Sequence, residues 1–115
     1  MTEFLSLRAL CLTVGIVSCN PMWAQAAEID QLNANGKAIL QDKCARCHSI
    51  EAIGDSPLLQ APPMRTIYTR FAEKELRAEL SEGMVSRHKE MPQIQFSDED
   101  VYAIMTYLYK LASRK

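Results

Sequence analysis

Five consecutive residues constrain this chain more than any other stretch of it: Cys44-Ala45-Arg46-Cys47-His48. Two thiols three positions apart lie about one helical turn from each other, and a histidine directly follows the second. A structural zinc site would need two further soft ligands. Beyond residue 26 and outside the pentad the chain offers only His88 and no other cysteine. A redox disulfide makes no use of His48, and no βαβ pattern surrounds the pair as a thioredoxin-like site requires. The reading that employs all three side chains is one covalent haem c. Each thiol forms a thioether to a vinyl group, and the imidazole lies under the ring with its Nε2 aimed at the iron.

The beginning of the chain is expected to be removed. Met1 to Arg8 is a weakly basic start, and Ala9 to Val17 is an uncharged apolar run. That run is too short to span a bilayer, for which about 20 apolar residues are needed. Pro21 breaks the helical pattern, and Ala24-Gln25-Ala26 has the small-x-small form of a cleavage site. Residues 1–26 therefore read as an export signal and 27–115 as one domain of 89 residues, with no transmembrane segment in the mature form. Ile16-Val17-Ser18-Cys19 also resembles a lipoprotein box, in which Cys19 would be acylated and become the mature N-terminus. Either route exports the protein. Cys11 and Cys19 belong to this segment, so cleavage after Ala26 leaves Cys44 and Cys47 alone and no four-cysteine framework. So small a domain buries a modest core and often needs a covalent or metal staple. Net charge is −1 and the isoelectric point about 6.1, which argues against nucleic acid as a partner.

The flanks of the pentad read as helices, and no strand pattern occurs. Leu32, Gly36, Ile39 and Leu40 recur at helical spacing and predict an amphipathic helix over roughly 29–44. Gly36 costs about 1 kcal/mol in a helix interior, tolerable where a second helix must approach the backbone. A shorter helix is predicted over 72–82, with Leu76 and Leu80 inward and Gly83 as its stop. Ser97-Asp98-Glu99-Asp100 predicts an N-cap and acidic first turn, with Phe96 and Val101 placed to form a hydrophobic staple. The helix that follows carries Val101, Ile104, Met105, Leu108 and Ala112 on one stripe, and Lys110, Arg114 and Lys115 near its negative end. The chain reads as all-α.

An iron with one histidine takes a sixth ligand or keeps an open position. Met105 lies on the last helix's stripe and Met84 follows a helix stop, so both read as packing. Met91 lies in a polar, non-periodic stretch where Pro92 disfavours helix, and an extended thioether there can reach the face opposite His48. His88 is the rival, and bis-histidine ligation would give a lower potential.

With these residues in place, the chain resembles the small soluble class I cytochromes c, periplasmic monohaem proteins of proteobacterial type, over residues 29–113. Gly36 and Leu40 precede Cys44 by eight and four residues, as the family's first-helix glycine and apolar contact do. Ile104-Met105-Thr106-Tyr107-Leu108 is similar to the last-helix motif that crosses the first helix at that glycine. The resemblance thus implies N- and C-terminal helices crossing around the covalent haem. Met91-Pro92 matches the sixth-ligand loop. Ala61-Pro62-Pro63-Met64 resembles the loop in which a proline carbonyl accepts the proton on the proximal histidine's Nδ1. By that match Pro62 would orient His48 and Met64 would line the haem. The commoner Gly-Pro pattern is absent, which leaves Pro62 and Pro63 in competition.

With His48 and Met91 both on iron, no position is open to oxygen or peroxide, and the chemistry reduces to moving one electron. The function implied is a monomeric periplasmic electron carrier serving redox protein partners, a donor and an acceptor, and not an enzyme. The alternative is a dedicated electron-accepting subunit of a periplasmic dehydrogenase or oxidase. Family members exchange electrons at the exposed haem edge, where this sequence gathers Lys43, Arg46, Arg87 and Lys89.

Overall fold

Ser97 opens the last helix as its sequence predicts. Its side-chain oxygen accepts the Asp100 backbone N–H at 3.2 Å, which satisfies one of the donors a helix start leaves unpaired. The computed structural model describes residues 21–84 and 89–114, so His88 and Arg87, like residues 1–20, lie outside the described residues. Four helices follow in chain order: α1 (Met22–Lys43), α2 (Met64–Arg70), α3 (Glu73–Glu82) and α4 (Asp98–Ala112). Among the described residues there is no strand.

α4 is the centre of the packing. Val101, Ile104, Met105, Leu108 and Leu111 are buried as one face, and Ala103 and Tyr107 are buried beside it. At about 100° per residue these seven positions cover roughly 200° of the helix, twice the width of a simple surface stripe. The helix is enclosed from two sides because Ala103 and Tyr107 face α1. Ala112, placed on the stripe by periodicity, is only half-buried, and Leu111 is buried in its stead.

The contact between α1 and α4 turns on Gly36. A Cβ at that position would lie 2.6 Å from the Ala103 carbonyl carbon, closer still to its oxygen, and 3.0 Å from Tyr107 Cβ. Only hydrogen fits there, so the helices cross backbone to backbone as the sequence implied. Leu40, one turn on, is fully buried against the same core.

Two features differ from expectation. α1 begins at Met22, seven residues before the predicted start, with Pro21 as its N-cap. Proline is tolerated at a helix start, and Ala24, Gln25, Ala26, Ala27 and Glu28 are good helix formers with no breaker among them. α2 was not anticipated. It has seven residues and buries only Met64 and Ile67, too few for any periodicity to register. Pro63 fixes its N-terminal boundary. α3 matches its prediction: Leu76 and Leu80 are buried, and Gly83 ends it at φ +89°, where a residue with a Cβ would be strained.

Candidate haem site

The pentad is a direct continuation of α1. The N–H groups of Cys44 and Ala45 both reach the Leu40 carbonyl, at 2.8 and 2.9 Å. Those of Cys47 and His48 then reach the Cys44 carbonyl, at 3.1 and 2.9 Å. One extra turn at the helix end thus carries both thiols and the imidazole, and its position follows from the Gly36 crossing two turns upstream. Cys44 and Cys47 are half-buried and unbridged. Burial pushes the Cys44 thiol up to about 11, so in this setting it is a neutral thiol at physiological pH.

His48 has its ring oriented. Nδ1 lies 2.7 Å from the Pro62 carbonyl oxygen. A carbonyl only accepts, so Nδ1 carries the proton and donates it, and in the neutral ring Nε2 is left with its lone pair. Of the two prolines, Pro62 is the one whose carbonyl the histidine reaches. The Pro63 carbonyl is engaged by the N–H groups of Thr66 and Ile67 at the start of α2, at 2.9 and 3.1 Å, while Pro62 remains for the histidine.

Residues 49–63 form no regular structure, yet their backbone is tied at several points. Ser49 N–H donates to the Ser56 hydroxyl at 3.0 Å, and the Ser49 carbonyl accepts from Met64 N–H at 2.8 Å. Leu58 N–H donates to the Cys47 carbonyl at 3.2 Å. Arg65 spans the loop's exposed bend, donating to the carbonyls of Glu51 (3.1 Å) and Gly54 (2.8 Å). From the crossing helices, Lys37 pairs with Glu51 at 2.8 Å and the Tyr107 hydroxyl donates to the Ile50 carbonyl at 2.9 Å. Sequence reasoning missed Ser56, Arg65 and the Tyr107 hydroxyl as supports of the site. Tyr107 meets Ile50 across 57 positions, and nothing local marks such a pair.

Cys44, Cys47, His48 and Pro62 are therefore brought together, with Met64 beside them. Met64 is buried in the core, and it opens α2 instead of lying on the loop. Met91 stands on a separate irregular stretch, half-buried. The base of that stretch is fixed to α3: Phe96 N–H donates to the Leu80 carbonyl and the Gln95 side-chain amide to that of Glu82, both at 3.1 Å. Met105 is buried in the core and Met84 packs against it, as expected of packing residues. The donor set suits a haem bound through two thioethers: two unbridged thiols one turn apart, and an imidazole whose far nitrogen keeps its lone pair.

Of the rim cations, Lys43 pairs with neighbouring Asp42 at 2.7 Å, while Arg46 and Lys89 are exposed. Among the described residues no helix is long and apolar enough to cross a membrane.

The Cytochrome c family model matches residues 33–112. No curated protein and no solved structure matches the chain.

Proposed function

The chain belongs to the cytochrome c family, whose members carry covalently attached haem c and move electrons between redox partners, and we propose that it is a periplasmic single-electron carrier with His/Met ligation. When bound, haem iron supplies the reversible one-electron couple. Cys44 and Cys47 would tether the group through thioethers. His48 would offer its Nε2 lone pair to the iron, Pro62 keeps that ring in one tautomer and one orientation, and Met64 would line the pocket. Met91 would provide the second protein ligand from its own loop. A thioether in place of a second imidazole would raise the potential, and with both protein ligands bound the group would move one electron without taking up oxygen or peroxide.

The observation that carries this reading is the 2.7 Å hydrogen bond between His48 Nδ1 and the Pro62 carbonyl. A second-atom partner of this kind is what a metal-binding histidine characteristically has. Residues 1–26 are read as an export signal cleaved after Ala26. Met22 and Trp23 support this, since they are 86% and 76% exposed on the first turn of α1, apolar residues that no core covers. The other route, acylation of Cys19, also ends outside the cytoplasm.

Mass spectrometry of the exported protein tests attachment and processing together. The expected result is an N-terminus at Ala27 and one haem on the peptide containing Cys44 and Cys47; a haem-free peptide overturns the reading. Met91→Ala tests the sixth ligand. It is expected to abolish the weak sulfur-to-iron charge-transfer band of the oxidised protein and to lower the potential. A surviving band would move the ligand to Met64 or Met84.

A further inference from the structure

We propose that Tyr107 is a positioning residue for His48, holding from α4 the loop that fixes the histidine's orientation; the proposal rests on reading His48 as the iron ligand.

Ile50 is two residues beyond His48, and its carbonyl belongs to a loop with no ladder of its own. Ile50 and Tyr107 are 4% and 6% exposed, so their 2.9 Å hydrogen bond is closed to water. A buried carbonyl deprived of its donor cannot turn to solvent without moving its backbone. That backbone is the one that matters. The adjoining Ser49 carbonyl receives Met64 N–H, and Ser49 N–H is bound by Ser56. Rotation at Ile50 therefore disturbs both ends of the segment that runs from His48 to its acceptor, Pro62.

Tyr107 is itself fixed. Its Cβ lies 3.0 Å from the place a Cβ on Gly36 would occupy, so the tyrosine is wedged at the helix crossing. Lys37 on α1 reaches the next loop residue, Glu51, but that pair is about half exposed on both sides, where ion pairs add little. Tyr107 is thus the buried member of a two-point hold that transmits the helix crossing to the proximal histidine.

The test uses the haem-loaded protein and Tyr107→Phe, which removes the hydroxyl and keeps the ring, with exposed Tyr102→Phe as control. Amide exchange at Met64 and Leu58 is expected to accelerate at least tenfold, while amides inside α3 stay as they were. The hyperfine-shifted ring signals of His48 in the oxidised protein are expected to move, and Tyr102→Phe is expected to do neither. Acceleration spread evenly over the chain, or unmoved His48 signals, overturns the proposal. In the unaltered protein the Tyr107 phenolic proton is expected to be visible by NMR and slow to exchange. A proton averaged with solvent overturns the proposal even if the variant fails to accumulate. Haem present with unmoved His48 signals defeats the Tyr107 role alone, whereas an unaltered protein without covalent haem defeats the haem reading itself.

Discussion

Replacing Gly36 with Ala puts a methyl group where α4's backbone already is. The new carbon would lie 2.6 Å from the Ala103 carbonyl carbon and closer to its oxygen, whereas non-bonded carbon atoms prefer about 3.5–4.0 Å. The helices must separate by roughly 1 Å, since neither neighbour is a side chain that can rotate away. Alanine gains about 1 kcal/mol in helix propensity over glycine. Overpacking costs about 1–3 kcal/mol, and a clash against backbone belongs at the upper end. The net expectation is a loss of about 2 kcal/mol, the difference between those two values. For a domain of this size that lowers Tm by about 8–16 °C. Thermal and urea unfolding of the haem-loaded protein, followed at the haem absorbance and by circular dichroism, measures it. An unchanged or raised Tm for Gly36→Ala would refute the argument, because propensity alone predicts stabilisation.

Two further outcomes are expected. Cys44→Ser or Cys47→Ser should each remove one thioether, and the double variant should carry no covalent haem and be largely unfolded, its small core lacking the staple; cooperative, native-like melting of the haem-free double variant by circular dichroism would contradict this. Arg87→Glu with Lys89→Glu should slow electron transfer to an acidic partner and flatten its ionic-strength dependence in stopped-flow measurements, with the potential little changed; a rate that falls only in step with a shifted potential would mean these residues tune the iron and do not dock.

Local signals carried the sequence reading a long way. Capping at Ser97, the stop at Gly83 and the inward leucines of α3 each depend on residues within one or two turns, and each appears in the structure where its pattern lies. The pentad names its own chemistry because the thiols and the imidazole are neighbours in the chain. α2 escaped because seven residues contain too little periodicity, and the early start of α1 escaped because Pro21 serves as a boundary as readily as a break.

Tertiary structure decided how the site is held. Pro62 and Pro63 are chemically alike, and the folded chain gives them different partners: His48 for the Pro62 carbonyl, the first N–H groups of α2 for that of Pro63. Tyr107 reads from its sequence as one more aromatic on a packed helix, and its hydroxyl acquires a partner only when α1 and α4 cross at Gly36. Helix propensity, capping and a covalent motif act over a few residues and are written in order along the chain. A buried carbonyl finds its donor wherever packing brings one, and packing has no address in the sequence.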